Sequence, residues 1–296
     1  MKRLLVKIAS VLLGVSFCMI IEAQEQEKHE ISVYAASGLS TLQYNLNGGA
    51  RDNRIGGGAG LSYGFFFNDY WGITTGGEIA YHFAKAKMEP FSGSVFVSDK
   101  PYTYNYNVNN YYENQEFIVV NIPLMLQYQA PLLFEDHFCY AAIGAKIGIP
   151  WHLKYKTSGA TYTTTGVSHL DNSIIESPES EGLGTFTEKR NDRYVDYKKS
   201  YMLSAELGMK WSLSRFFFLY TGIYCDYGLN DIISNPNRSF VSYNRQSPAT
   251  INHRSILESS YGRIPEGEIV NFTNKVAPLA LGLKFKFTFM VPSKCY

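Results

Sequence analysis

Eight stretches of the chain alternate apolar residues with small or polar ones at a period of two. The clearest is Ala277–Phe289, APLALGLKFKFTF, where Ala277, Leu279, Leu281, Leu283, Phe285, Phe287 and Phe289 are interleaved with Pro278, Ala280, Gly282, Lys284, Lys286 and Thr288. Successive side chains leave a pleated strand on opposite faces, so this pattern predicts a strand with one wholly apolar face. The run is longer than the roughly 9 to 11 residues a tilted strand needs to cross a bilayer. The same alternation predicts strands over Glu30–Leu42, Ile55–Phe67, Trp71–Ala84, Glu116–Ala130, Phe138–Tyr155, Lys198–Leu213 and Phe216–Leu229. Their connections run long, short, long, short, long, short, long. That asymmetry predicts an all-β fold, an eight-stranded antiparallel up-and-down transmembrane β-barrel with tight periplasmic turns and long outer loops. Trp71, Tyr128, Trp151, Trp211 and the closing phenylalanines fall near strand ends, where an aromatic girdle lies.

A soluble eight-stranded barrel or sandwich would turn the apolar face inward. The other face would then meet water, yet it is rich in glycine and alanine, as in Gly56, Gly58, Gly60, Gly64, Ala142, Gly144 and Gly148. Glycine weakens an exposed strand for no gain, whereas small residues suit the narrow interior of an eight-stranded barrel. The apolar face is therefore assigned to lipid. Pro123, Pro150 and Pro278 each lack an N–H for the ladder, and a closed barrel has no edge strand, so a bulge or strand end is expected at each.

The first residues, MKRLLVKIASVLLGVSFCMIIEA, combine a basic start, an apolar run and Ala23 before Gln24. This is the layout of a signal peptide, predicted over 1–23, with the barrel domain over 24–296. The apolar run is shorter than the roughly 20 residues of a spanning helix. Of 27 basic and 26 acidic residues, Lys2, Arg3, Lys7 and Glu22 lie in that leader, so the remainder carries 24 and 25. A net charge of −1 gives no electrostatic case for nucleic acid. Charged residues are only 18% of the chain and aromatics 15%, with 23 Tyr and 19 Phe, a balance that favours sheet with an apolar exterior. Cys139, Cys225 and Cys295 are an odd number without close spacing and are expected to stay free.

The inward parity places Glu30, Glu78, Glu206 and Asp226 in the lumen with Lys146, Lys154, Lys210, Lys284, Lys286, His82 and His152. Buried charges of both signs are tolerable only if paired. Glu78, His82, Lys146, Glu206, Lys210, Asp226, Lys284 and Lys286 are accordingly predicted to form an interior polar network that plugs the barrel. The alternative use of the same groups is a thin ion path. For catalysis the loops offer Ser168 beside His169 with Asp171 two residues on, and His253 two before Ser255. Catalytic partners usually meet through the fold rather than as sequence neighbours, so no catalytic residue is assigned. GGGAG at Gly56–Gly60 lacks the lysine of a phosphate loop and lies in a strand. The six histidines show no metal-ligand spacing, and neither metal nor cofactor is predicted. Tyr102–Tyr112, YTYNYNVNNYY, is either a sugar- or protein-binding surface or a hairpin above the membrane with Tyr at the interface.

Phe117–Tyr128, FIVVNIPLMLQY, followed by a short turn and Tyr140–Ile149, YAAIGAKIGI, resembles the signature of the small outer-membrane β-barrel proteins of the Bacteroides group, labelled porin-family or PorT-like. The resemblance implies an outer-membrane barrel of OmpA/OmpX type and brings no catalytic residues. The role expected is structural or adhesive through the outer loops, with outer-membrane lipid as surroundings and a protein or glycan as ligand. The alternatives are a narrow channel or secretion-assembly component, and a lipid-modifying barrel enzyme.

Overall fold

The computed structural model describes residues 28–97, 100–132, 137–157, 159–188, 191–243, 252–262 and 269–291. The predicted signal peptide and Cys295 lie outside them. Eight long strands form a closed antiparallel ring: β1 (Lys28–Gln43), β2 (Ile55–Phe66), β3 (Trp71–Met88), β4 (Tyr112–Pro131), β5 (His137–Thr157), β6 (Ser200–Ser212), β7 (Phe217–Gly228) and β8 (Ala277–Val291). Each pairs with its sequence neighbours, and β8 returns to β1 with Gln43 opposite Ala277 and His29 opposite Val291. Closure leaves no barrel strand with an unpaired edge, the condition for a sheet to cross hydrocarbon.

The apolar face is outside. Leu281, Leu283, Phe285, Phe287 and Phe289 are exposed, most of them by about half, whereas Lys284, Lys286 and Thr288 between them are buried. From Leu281 to Phe289 the outward residues cover about 27 Å of strand at ~3.4 Å per residue. Tilted by about 40°, that projects to about 21 Å, close to the ~25 Å apolar band of such barrels. At the end bearing the short turns, Trp71 packs on Tyr128 at 4.8 Å, Phe217 on Phe289 at 5.3 Å and His137 edge-on to Trp211 at 5.2 Å. These rings form the lower girdle.

Inside, glycines make room for rings. A Cβ on Gly60 would fall 2.7 Å from the Tyr34 ring, one on Gly72 2.6 Å from Phe66, and one on Gly222 2.8 Å from the Tyr140 hydroxyl. The small inward residues are therefore the complements of large inward aromatics at close-packed density.

The prolines behave in three ways. Pro278 is the second residue of β8, a strand end. At Pro150 the ladder between β4 and β5 slips by one residue, with Ile118 opposite His152 but Val119 opposite Pro150. Pro123 has neither a bulge nor a strand end: its register to Lys146 is continuous, while on the β3 side the ladder is open between Thr75–Leu124 and Glu78–Asn121 and the Thr75 hydroxyl donates to the Pro123 carbonyl at 2.8 Å.

The Pro150 bulge reverses the parity of everything above it, because a one-residue slip exchanges the two faces. Leu153, on the outward parity of the sequence pattern, is buried inside, and so is Tyr155 two residues on. His152 and Lys154, assigned to the lumen, stand half-exposed on the outer wall, where they pair with Glu116 at 3.7 Å and Asp192 at 3.4 Å.

Above the membrane, short strands build a cap. Phe91–Phe96, Tyr102–Asn109, Thr161–Ser168, Ile174–Ile175 and Gly184–Thr187 make one sheet, and Arg238–Ser239, Ser259–Gly262 and Ile269–Asn271 another. Tyr102, Tyr104, Tyr106 and Val108 turn to one side of their strand and are buried. The Tyr-rich stretch is thus a hairpin strand above the barrel, as one of the two expectations had it, but Tyr102, Tyr104 and Tyr106 face the cap core rather than a ligand or the membrane interface. It helps form the cap core, where Phe91 meets Phe240 at 5.1 Å and Phe272 at 4.9 Å, both edge-on, the preferred geometry for aromatic pairs.

Candidate functional site

The lumen is filled at three levels. Lowest, the Lys210 ammonium donates to Glu30 at 2.6 Å and to Gln129 at 3.1 Å, the Tyr220 hydroxyl donates to Glu30 at 2.7 Å, and Phe218 lies 4.5 Å beneath the cation. Below this layer a cavity of about 770 Å³ opens to the periplasmic end between Lys28, Asp69, Phe138 and Arg215. In the middle, Lys146 bridges Glu78 at 3.1 Å and Asp226 at 2.8 Å. Asn121 and Tyr34 also donate to Glu78, at 2.8 and 3.1 Å, and Ser204 donates to Asp226 at 2.6 Å. Glu206 takes Lys284 at 2.5 Å and Lys286 at 3.8 Å, and Lys284 lies 4.0 Å over the Tyr34 ring. His82 is buried beside them, its Nδ1 3.0 Å from the Ser40 hydroxyl. All eight residues of the interior set point into the lumen, and Glu30 brings the acids there to four against four lysines. Balanced charge with multiple hydrogen bonds offsets the desolvation that burial costs.

The upper mouth is apolar. Leu42, Phe117, Val119, Leu153 and Tyr155 of the wall close around Val195, Ile232, Ile233 and Leu257 from the outer loops. One buried carboxylate fixes the loop to the wall. Glu113 accepts from the Ser255 hydroxyl at 2.5 Å, Tyr111 at 2.7 Å, Gln115 at 2.9 Å and the Ile256 N–H at 3.1 Å.

A family model described as "Outer membrane protein beta-barrel domain" matches residues 22–234. The chain belongs to this outer-membrane β-barrel family. Its place is the outer membrane, which accounts for the lipid-facing wall and for the contrast between tight turns and elaborate outer loops. No curated protein sequence matches it. Solved structures similar to it include Neisserial surface protein A, at 10% identity over 88% of this chain and 98% of that one with a TM-score of 0.32. Ail of Yersinia pestis, in complex with the heparin analogue sucrose octasulfate, is 12% identical over 90% and 100%, with a TM-score of 0.30. OprG of Pseudomonas aeruginosa is 10% identical over 90% and 96%, with a TM-score of 0.34. Superpositions this loose bear on no residue, and the family match carries the assignment.

In this outer-membrane barrel the proposed nucleophile pairs are not assembled. His169 Nε2 lies 3.1 Å from the Thr103 hydroxyl and its ring stacks on Phe96 at 5.5 Å. Hydrogen bonds from Ser168 and then Ser173 hold the Asp171 carboxyl down to about 2, a hydrogen-bonded surface turn rather than a base-and-nucleophile pair. His253 is stacked between Tyr162 and Phe240 and bonded to Glu188, while Ser255 is turned to Glu113. Cys139 and Cys225 are free thiols on the outer wall. Among the described residues no group of three or more His, Cys, Asp or Glu could hold a metal ion. Sequence reasoning missed Glu113 and the loop plug. The pair Ile232–Ile233 inside a polar stretch was the signal available; a lone Glu before a strand gave none.

Proposed function

We propose that this outer-membrane barrel is a non-conducting anchor that presents its aromatic-cored cap as an interaction surface outside the cell. The observation that carries the reading is the filled lumen: two ion-paired layers and an apolar mouth stand in series along the axis. A permeating ion would have to break salt bridges whose partners are buried, and eight strands leave space only for side chains. The cap has its own packed core, so its outer face is held rigidly, which favours recognition over gating. The reading assigns no catalysis, and it takes residues 1–23 as the export signal. In planar bilayers the protein is expected to insert without unit conductance, and cells bearing a variant that lacks 91–109 and 161–187 are expected to lose surface binding while keeping a folded barrel. Stable single-channel currents from the intact protein, or binding unchanged by the deletion, would refute it.

A second reading, a component of a secretion assembly, is favoured by the cavity at the periplasmic end. Copurification of periplasmic partners that is lost on Arg215→Glu would support it.

A further inference from the structure

The outer wall carries a second concavity, of about 680 Å³, on the outer side of the loop whose Val195 helps close the lumen mouth. The Pro150 bulge creates it. By reversing the parity of β5, the slip turns His152 out beside Trp151, and the chain then brings Tyr194 and Asp196 from one loop and Ser234 and Asn235 from another to the same place. Trp151 and Tyr194 are 65% and 68% exposed, and the His152 ring stands edge-on to Tyr194 at 6.0 Å.

The walls are fixed before any ligand arrives. The Tyr197 hydroxyl donates to the Trp151 carbonyl at 2.7 Å, the Ser234 N–H to the Asp196 carbonyl at 3.1 Å, and Arg238 holds the Asp196 carboxylate at 3.1 Å. Such preorganisation lowers the entropic cost of binding. In the lower girdle Trp71 packs on Tyr128 and Phe217 on Phe289; here two exposed rings line one concavity with a carboxylate, a carboxamide, a hydroxyl and an imidazole.

We propose that this pocket binds a neutral saccharide. The axial C–H face of a pyranose lies on an indole or phenol ring, while its hydroxyls require paired donors and acceptors of the kind Asp196, Asn235, Ser234 and His152 offer. A polyanion is disfavoured, because Arg238 is committed to Asp196 and Glu258 and the nearby Glu116 is acidic. An apolar ligand would strand the polar groups. The pocket opens just above Ile149, the last outward aliphatic residue of β5, which sets it level with the sugars of outer-leaflet glycolipid. The pocket is separate from the cap and from any partner the cap has.

The test is a titration of the purified protein with two probes: a lipid-free neutral hexose oligosaccharide, followed by saturation-transfer NMR, and a glycolipid with an uncharged hexose head group in nanodiscs, followed by tryptophan fluorescence. Trp151→Ala and Tyr194→Ala, both at exposed side chains, are expected to weaken binding at least tenfold. Asn235→Ala gives a second, non-aromatic arm, and Tyr70→Ala at the opposite girdle is the control. Retention of heat-modifiable gel mobility confirms folding. Binding of the lipid-free probe that falls in the variants supports a site for soluble saccharide, and binding confined to the nanodisc arm that falls in the variants supports glycolipid as the source. Absence of binding in both arms, or equal losses in Tyr70→Ala, would overturn the proposal.

Discussion

Replacing Lys146 with methionine removes the ammonium between Glu78 and Asp226 while keeping a side chain of similar length in the lumen. In the native protein that ammonium lies 3.1 Å from Glu78 and 2.8 Å from Asp226, with all three side chains buried. The neutral donors remain after the change: Asn121 and Tyr34 on Glu78, Ser204 on Asp226. What is lost is the cation that both buried carboxylates share, and each keeps only neutral donors as direct partners. Removing one partner of a buried pair costs about 3–5 kcal/mol, and uncovering two acids at once places Lys146→Met near the upper end. The double variant Lys146→Met with Asp226→Asn restores charge balance and is expected to recover about 1–3 kcal/mol of that loss, the usual size of coupling within one network. Urea titration of the refolded barrel in vesicles, followed by tryptophan fluorescence, gives both numbers. A Lys146→Met protein within about 0.5 kcal/mol of the native one, or a double variant no better than the single, would refute the view that paired charge holds the lumen together.

Gly60→Val is expected to destabilise by about 1–3 kcal/mol, because its Cβ would meet the Tyr34 ring at 2.7 Å and crowd the Gly77 carbonyl, whereas Gly77→Ala, with nothing within 4 Å, should be near neutral in the same titration. A nitroxide on Cys225, which is exposed on the outer wall between Ala205 and Leu281, should be relaxed far more by oxygen than by a water-soluble nickel chelate; the reverse would place that face in water. Burial pushes the Glu258 carboxyl up, against the pull of Arg254 and Arg238. The folded loop thus holds that proton more tightly than the unfolded one, so stability falls as pH rises from the ordinary carboxylate range through the raised value. Glu258→Gln should flatten that slope when cap proteolysis is followed between pH 4 and 8, and an unchanged slope would count against it.

How much was legible depends on the range of the forces involved. The eight barrel strands, their order and the direction of the apolar face follow from a period-two pattern, since each residue's fate is set by hydrocarbon on one side and a crowded lumen on the other. The same parity named the lumen residues from Glu78 to Lys286. It failed above Pro150: a missing N–H announces that the ladder must be disturbed there, but whether the strand slips or absorbs the proline in register is settled by the strands beside it. Pro123 shows the other outcome, with Thr75 donating to its carbonyl and no slip at all.

By itself, then, the sequence determined a membrane barrel with a charged interior, because alternation is a local property and lipid reads it one residue at a time. Tertiary structure alone decided which lysine meets which acid, that Tyr102, Tyr104 and Tyr106 are buried in a cap rather than displayed, and that loops distant in sequence close the mouth around Glu113 and gather Trp151, Tyr194 and Asn235 at one rim. Those outcomes rest on contacts between segments far apart in the chain, 142 residues for the bond from Ser255 to Glu113 and 180 for that from Lys210 to Glu30, and no short-range pattern encodes such a distance.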